Sequence, residues 1–263
     1  MLQRMRTLLM LLVLAVASYL ALVAFVYATQ RSQIYFPTPE SRDPRTRALW
    51  IENEGERIKV WVVARPGSRA LIYFGGNAED VAGNIDAFQE AFPDRSLFLV
   101  NYRGYGGSSG RSTEAGLRAD AVAIFDHVRR HHAEIAVMGR SLGSGVAVQL
   151  ATARPVERLV LVTAYDSLVH VAREYFWWLP VGLLLRDRYD SAARAKEVEA
   201  PVLIVIAAED EIISRARSEA LAAAFTPGQA QTVAVPGVGH NTLDWSSAYL
   251  EAVRRFLGTS SGE

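Results

Sequence analysis

The sequence predicts an α/β fold: a mostly parallel sheet with helices on both faces, a small cap insertion and a hydrophobic helix at the N terminus. Three observations lead to this prediction. From about residue 68 onward, short apolar runs typical of buried strands alternate with segments of helical periodicity. That order produces a parallel sheet covered by helices. Residues 165–192 interrupt the alternation, and residues 7–30 carry no charged side chain.

Residues 7–30 are predicted to form a transmembrane signal anchor. The stretch from Leu8 to Ala28 is almost wholly apolar and would be roughly 31 Å long as a helix, which matches the hydrocarbon core of a bilayer. A cleaved signal peptide is the alternative, because Val26 and Ala28 suit a cleavage site, although its apolar region would be unusually long. A buried helix of the following domain would normally carry a polar stripe, and this segment has none.

The charges around the anchor bear on its orientation. Arg4 and Arg6 favour a cytoplasmic N terminus, but arginines also follow the segment closely: Arg31, Arg42, Arg45 and Arg47. Because a large domain can cross a membrane regardless of its charge, we favour an outward-facing C-terminal domain, anchored in the inner membrane if the cell is bacterial. Residues 31–46 are predicted to be a linker, since they contain three prolines, and residues 47–263 to be the domain.

The elements of the domain follow in order. Residues 47–52 and 57–63 alternate in polarity, which predicts an antiparallel pair of strands. The later strands are predicted at residues 71–74, 97–102, 134–138, 158–162, 202–206 and 231–235. The helices are predicted at residues 78–92, 113–130, 144–153 and 245–257. The second of these helices is supported by apolar side chains that share one face, namely Leu117, Ala121, Ile124 and Val128.

Residues 165–192, which we call the cap segment, contain two apolar runs, 175–179 and 181–185. One interpretation is a core helix of the domain. The other is a cap over a ligand site, because sheets of this kind accept insertions there and ligand pockets are apolar. In the second interpretation Phe176, Trp177 and Trp178 are candidate substrate-binding residues.

A Gly-x-Ser-x-Gly motif joins the strand at 134–138 to the helix that follows, and its centre is Ser141. A strand can turn into a helix within so few residues only where the flanking positions are small. The turn holds the serine hydroxyl at the carboxyl edge of the sheet, beside a helix N terminus. The same pattern occurs around Ser108, but neither a strand nor a helix flanks it. We therefore interpret Ser108 as a loop residue.

A serine hydroxyl needs a base, and His240 is the candidate among five histidines. It lies in a glycine-rich loop between the last strand and the last helix. The imidazole in turn needs a carboxylate that fixes its tautomer. Asp210, after the strand at 202–206, is our choice, and Asp166, after the preceding strand, is the alternative. Asp244 is interpreted as a helix-start residue.

An oxyanion hole requires backbone N–H groups beside the serine. One is expected from Leu142, which directly follows the serine, and another from the loop Gly75-Gly76-Asn77 after the strand at 71–74. Our candidate donor in that loop is Asn77. The two glycines allow the main chain to pass close to a substrate.

The composition excludes several other kinds of site. Basic and acidic residues number 28 each, so the net charge does not indicate a nucleic-acid partner. The chain has no cysteine, which excludes disulfides, thiolate metal sites and a cysteine nucleophile. No histidine and carboxylate set has metal-ligand spacing. Gly104 and Gly106 are not followed by the helix start of a dinucleotide loop. We therefore expect no metal and no cofactor.

Together these motifs resemble the α/β-hydrolase superfamily, most closely its membrane-associated serine hydrolases, which include protein depalmitoylases and serine-aminopeptidase-like enzymes. The resemblance covers about residues 33–258. Its motifs lie at residues 73–78, 101–106, 139–143, 209–211 and 239–241. Two positions depart from the family pattern: Gly75 stands where a histidine is frequent, and Asn101 stands where aspartate is usual.

The resemblance and the motifs imply a serine hydrolase that cleaves carboxylic esters or thioesters through an acyl-enzyme on Ser141. The apolar cap segment suggests an apolar, lipid-like acyl group as substrate. Two alternatives remain open at this point. One is a serine peptidase or aminopeptidase-like hydrolase, and the other is a non-catalytic binding module that retains the fold.

Overall fold

A sheet of eight strands forms the centre of the domain in the computed structural model, which describes residues 1–41 and 46–258. The strands are β1 (Arg47–Asn53), β2 (Glu56–Val63), β3 (Arg69–Phe74), β4 (Ser96–Val100), β5 (Glu134–Arg140), β6 (Leu159–Val162), β7 (Val202–Ala207) and β8 (Ala230–Val235). Their spatial order is β1-β2-β4-β3-β5-β6-β7-β8. β2 pairs antiparallel with both β1 and β4, and the other neighbours pair parallel. The predicted mostly parallel sheet is therefore confirmed.

The local sequence explains the two kinds of strand. Each residue of β4, β6 and β7 is buried, because helices cover both faces of a parallel sheet, and these strands are continuous apolar runs. β1 and β2 lie at the sheet's antiparallel end, where only Ile51 of β1 is buried and both ends of β2 are exposed or half-buried. Their hairpin turns through Glu54 and Gly55, both at positive φ, as a tight two-residue turn requires.

The helices form two layers. They are α2 (Ile85–Ala91), α3 (Glu114–Arg129), α4 (Leu142–Ala153), α5 (Leu168–Tyr175), α6 (Val181–Leu184), α7 (Ser191–Arg194), α8 (Arg215–Ala224) and α9 (Ser247–Leu257). α3, α4 and α8 contribute to the apolar core on one face of the sheet, and α2 and α9 to the core on the other face. The predicted helix at 78–92 begins later than expected, because a 3-10 turn at Val81–Asn84 precedes α2.

The N-terminal helix α1 runs from Leu2 to Ile34, so it includes the predicted anchor and the first four residues of the predicted linker. Its apolar window has a mean hydropathy of 2.7 and none of it is buried. By length and composition the helix could cross a membrane, and a signal sequence would satisfy the same criteria. Of the remaining linker, residues 42–45 lie outside the described residues, among them Arg42, Pro44 and Arg45.

The last turns of α1 are fastened to the cap segment. Gln30 is buried; its amide donates to the carbonyl of Leu184 and accepts from the backbone N–H of Arg186, at 3.1 and 2.7 Å. Arg31 makes a bidentate ion pair with Asp187, at 2.8 and 3.0 Å. The end of the helix therefore has a fixed position on the domain.

Candidate active site

Ser141 lies at a sharp turn between β5 and α4. Its backbone has φ +49° and ψ −116°, a conformation that residues with a Cβ rarely adopt. The flanking glycines of the motif are required by close packing. A Cβ on Gly139 would lie 2.2 Å from the carbonyl oxygen of Gly143, and a Cβ on Gly143 would lie 2.1 Å from that of Phe74. The turn holds the serine at the carboxyl end of β5.

Ser141, His240 and Asp210 form a continuous chain of hydrogen bonds. His240 Nε2 lies 3.0 Å from Ser141 Oγ, and His240 Nδ1 lies 3.0 and 2.9 Å from the two carboxylate oxygens of Asp210. The side chains of His240 and Asp210 are 7% and 3% exposed. A carboxylate at Nδ1 keeps the proton on that nitrogen, so Nε2 is free to accept the proton of the serine hydroxyl.

Asp210 is itself held in place by the loop after β7. One carboxylate oxygen, Oδ1, accepts hydrogen bonds from the backbone N–H groups of Ile212 and Ile213, at 2.9 and 2.7 Å. The three side chains thus follow β5, β7 and β8, whose carboxyl ends meet at the same edge of the sheet. This is the arrangement expected for a site in a parallel sheet.

The alternative acid, Asp166, is engaged elsewhere. Its Oδ2 bonds to His170 Nδ1 at 2.6 Å and accepts from Arg217 at 3.1 Å. Asp244 lies in the 3-10 turn Leu243–Trp245 just before α9, where its carboxylate accepts from Arg140 at 2.6 Å. The geometry therefore favours Asp210 over Asp166 as the partner of the imidazole.

Ser108 occupies a structural position in its loop. Its hydroxyl donates to the carbonyl of Asn101 and accepts from the backbone N–H of Lys59, both at 2.9 Å. Ser108 is buried. These bonds connect the loop after β4 to β2, which accounts for the residue without any catalytic role.

The predicted oxyanion donors border the serine. Leu142 is the first residue of α4, so its N–H has no acceptor inside the helix. A Cβ on Gly76 would lie 3.7 Å from the Cβ of Ser141, so the loop after β3 passes directly beside it. Asn77 is held by its side chain, whose Oδ1 accepts from Phe36 N–H at 2.9 Å and from the Tyr105 hydroxyl at 2.7 Å.

Gly75 differs from its expected role. A Cβ there would lie 2.6 Å from Cγ1 of Val81, so packing behind the loop requires this glycine. Gly76 and Asn77 line the cavity above Ser141, and Gly75 is not part of its lining. The N–H of Gly76 is already used, because it donates to Glu79 at 2.6 Å.

Glu79 organises the loop after β3, a role that was not predicted from the sequence. Besides the N–H of Gly76, its carboxylate accepts from the hydroxyl of Tyr73 at 2.6 Å and from the amide of Asn84 at 2.7 Å. The sequence does not distinguish the role of Glu79 from that of its neighbour Asp80, because the contacts of Glu79 form only in the folded loop.

Arg140, inside the serine motif, is a second positioning residue that sequence reasoning missed. Its guanidinium donates to Asp244 and to the carbonyl of His240, the latter at 3.0 Å. Burial lowers the pKa of Arg140, but Tyr73, Glu79 and Asp244 raise it, and the net pKa lies above the ordinary value. The charged guanidinium therefore ties the histidine loop to the serine turn.

A cavity of about 820 Å³ lies above Ser141, and most of its lining is apolar. The cap segment supplies one wall, with Phe176 and Trp178 among its lining residues. Trp177 differs from the expectation: it does not line this cavity and is 80% exposed. The tight turn after α5, closed by a bond from Leu179 N–H to the carbonyl of Phe176, turns the two indoles in different directions. The cap segment thus forms part of the wall of the cavity above Ser141.

No protein-family model matches the chain. The uncharacterized protein Rv2307c of Mycobacterium tuberculosis is 38% identical over 267 aligned positions, which cover 93% of this chain and 94% of that protein. Alpha/beta hydrolase domain-containing protein 17C of Xenopus tropicalis is 29% identical over 210 positions, covering 75% of this chain and 64% of that protein. The solved structure of MGS-M2, an alpha/beta hydrolase enzyme from a Medee basin deep-sea metagenome, superposes with a TM-score of 0.67 at 16% identity. The superposed region covers 82% of this chain and 99% of the MGS-M2 chain.

The close packing at the serine turn predicts that Gly143→Ala destabilises the fold. The added methyl group would meet the carbonyl of Phe74, and overpacking of this kind costs about 3 kcal/mol. For a chain of this size the melting temperature should fall by roughly 6 °C. Gly83→Ala is the matched control, because a Cβ at Gly83 has no heavy atom within 4 Å. Equal melting curves for the two variants would contradict the described packing.

Proposed function

Because this chain belongs to the α/β-hydrolase superfamily, we propose that it is a membrane-anchored serine hydrolase that cleaves carboxylic esters or thioesters. The observation that carries the proposal is the hydrogen-bonded chain from Ser141 through His240 to Asp210. A hydroxyl, an imidazole and a carboxylate in that order activate the serine as a nucleophile. The completeness of this chain also argues against a non-catalytic binding module.

In the proposed reaction, Ser141 Oγ attacks the acyl carbonyl while its proton passes to His240 Nε2. The tetrahedral intermediate's oxyanion accepts hydrogen bonds from the backbone N–H groups of Leu142 and Asn77. As the intermediate collapses, the imidazolium returns the proton to the departing alcohol or thiol, and the acyl group stays on the serine. Water then attacks the acyl-enzyme with the same base, which releases the carboxylic acid and regenerates the hydroxyl.

The lining of the cavity supports an apolar acyl group. Side chains such as Leu168, Val171 and Leu185 surround the space above Ser141, and apolar walls favour a hydrocarbon chain. A peptide amine would need an unpaired carboxylate. The carboxylates at the cavity wall, Glu79 and Asp244, lie 3.8 and 2.6 Å from the Arg140 guanidinium. These contacts favour an acyl ester or thioester over an aminopeptidase substrate.

We assign α1 to an uncleaved membrane anchor, with residues 7–30 in the bilayer and the catalytic domain on the outer side. The length and hydropathy of the helix support this assignment. A second support comes from two contacts made by residues that precede the candidate cleavage site: Tyr19 donates to the carbonyl of Trp178, and Val26 lines the cavity. Cleavage after Ala28 would remove both contacts.

The nucleophile assignment predicts that a fluorophosphonate probe labels the wild-type protein on Ser141. Ser141→Ala should abolish labelling and nearly all turnover, because members of a triad act as one unit. Ser108→Ala should keep its labelling and lose stability instead, since the buried N–H of Lys59 would lose its acceptor. Mass spectrometry of the labelled peptides identifies which serine carries the probe, and label on Ser108 would refute the mechanism.

The acid assignment predicts that Asp210→Asn lowers kcat by about four orders of magnitude, because the imidazole adopts the wrong tautomer. Asp166→Asn is the matched comparison. It weakens the contacts to His170 and Arg217, so it should lower the melting temperature and leave kcat within a few fold. If the two variants exchange these effects, the acid is Asp166.

The cavity predicts a dependence on acyl length. On p-nitrophenyl esters in detergent, kcat/KM should rise by up to about fourfold per methylene, or about 0.8 kcal/mol, until the cavity is filled. Trp178→Ala should flatten this rise and leave acetate turnover nearly unchanged, since Trp178 lines the cavity. Trp177→Ala is the matched control and should keep the wild-type profile. A flat profile with intact acetate turnover would reject the acyl cavity without affecting the triad.

A further inference from the structure

The N-terminal helix forms part of the active-site wall. Val26, Gln30, Gln33 and Ile34 line the same cavity as Ser141. Ile34 also contacts the loop after β3, because its carbonyl accepts a hydrogen bond from the Asn77 side chain at 2.7 Å. A simple tether would end before it reached the site, whereas this helix extends from its exposed apolar part directly into the cavity.

The cap tip, which we define as residues 176–185, carries no charged side chain. It has two of the most exposed large apolar side chains of the domain: Trp177 is 80% exposed and Leu183 is 89% exposed. The tip adjoins the exposed surface of α1, because the hydroxyl of Tyr19 donates to the carbonyl of Trp178 at 3.1 Å. Helix and tip therefore present one continuous apolar surface to the outside.

Side chains donate hydrogen bonds to several backbone carbonyls of the cap tip. In a hydrocarbon environment, a backbone carbonyl without a hydrogen-bond donor costs several kcal/mol. Tyr19 donates to the carbonyl of Trp178, and Gln30 donates to the carbonyl of Leu184. The guanidinium of Arg188 donates to the carbonyl of Gly182 at 2.8 Å. Two of these three donors come from α1, which is the element that the sequence assigns to the membrane.

The position of the contacts along α1 indicates how deep the tip would lie. Tyr19 precedes Ala28, the end of the apolar stretch, by a distance of about 14 Å along a helix axis. Half of a bilayer's hydrocarbon core is about 15 Å. The first charged residue after the apolar stretch, Arg31, pairs with Asp187 just beyond the tip, and Arg186 lies over the Tyr27 ring. These charges mark where the headgroups would lie. The guanidinium groups of Arg173 and Arg188 also reach the tip, at Gly182.

We propose that the cap tip inserts into the half-bilayer next to the catalytic domain, and that the cavity takes its acyl chain directly from the hydrocarbon. The inference rests on the proposed function and narrows its substrate class to fatty acyl esters or thioesters that reside in the membrane. The carbonyl of such a substrate lies near the headgroups, at the level of the charged boundary. The acyl chain extends along α1 into the space between the helix and the cap segment.

Insertion can be tested with single cysteines, because the natural chain contains none. Full-length Leu183→Cys, labelled with an environment-sensitive fluorophore, is placed in phosphatidylcholine and phosphatidylglycerol nanodiscs. Lipids brominated on their acyl chains should quench most of its fluorescence. The control is Arg255→Cys on α9, where the wild-type side chain is 78% exposed, and it should show no quenching. Absence of quenching at residue 183 would overturn the insertion.

Access from the bilayer is tested with Leu183→Asp, since Leu183 does not line the cavity and its exposure makes a folding defect unexpected. A carboxylate in hydrocarbon is costly, so hydrolysis of a long-chain ester embedded in the nanodisc should fall about tenfold or more. Turnover of p-nitrophenyl acetate, a soluble ester, should stay unchanged. Arg255→Asp is the control and should affect neither rate.

The two substrates separate the two proposals. If the wild type neither hydrolyses acetate nor reacts with the fluorophosphonate probe, the proposed function fails. If acetate is hydrolysed and Leu183→Asp cleaves the embedded ester at the wild-type rate, only the bilayer route is overturned. Parallel nanodiscs with a glycerolipid ester or with an S-acylated, membrane-bound peptide distinguish the source of the acyl group. Acetate turnover without hydrolysis of either embedded substrate would also overturn the inference.

Discussion

The contact on which the site depends most is the close approach of the serine turn to the end of β3. The backbone of Gly143 lies so near the carbonyl of Phe74 that no side chain fits between them. The backbone of Ser141 adopts a positive φ at this turn, a strained conformation that costs about 1–3 kcal/mol. Its N–H bonds to the carbonyl of Val162 at 2.9 Å, so the neighbouring strand β6 holds the strained residue. The same approach brings the loop after β3 beside Ser141.

A second level of organisation holds the loops around this turn. Arg140 extends from the turn to the histidine loop, and Glu79 fixes the loop after β3. Glu211 adds a contact from the acid loop, because its carboxylate accepts from the backbone N–H of His240 at 3.0 Å. The histidine loop is thus held by charged side chains from the turn and from the acid loop, and the loop after β3 by its own Glu79. Since charge-assisted hydrogen bonds are the stronger ones, Ser141, His240 and Asp210 can remain in contact although they follow three different strands.

The strands and the serine motif could be predicted because their signals are local. A buried strand is a continuous apolar run, and the sharp turn at Ser141 requires small neighbours, so both features appear in a few consecutive residues. α8 was missed because Arg215–Ala224 is rich in alanine and arginine and has few large apolar side chains. The roles of Glu79 and Arg140 and the different directions of Trp177 and Trp178 depend on contacts between distant segments. The family likeness indicated the triad, but only the folded chain shows that Asp210 and not Asp166 meets the imidazole.

The contact between α1 and the cap segment connects the N-terminal helix to the cavity above Ser141. Gln30 is a polar side chain at the end of an apolar helix, and burying it would be unfavourable without partners. It bonds to the cap segment at Leu184 and Arg186, and the next residue, Arg31, pairs with the buried carboxylate of Asp187. The cap segment therefore cannot tilt independently of the helix without breaking these bonds. Because Gln30 and Ile34 also line the cavity, a change in the position of α1 would alter the shape of the space above Ser141. The helix that is long and apolar enough to cross a membrane is thus also a structural part of the cavity above Ser141.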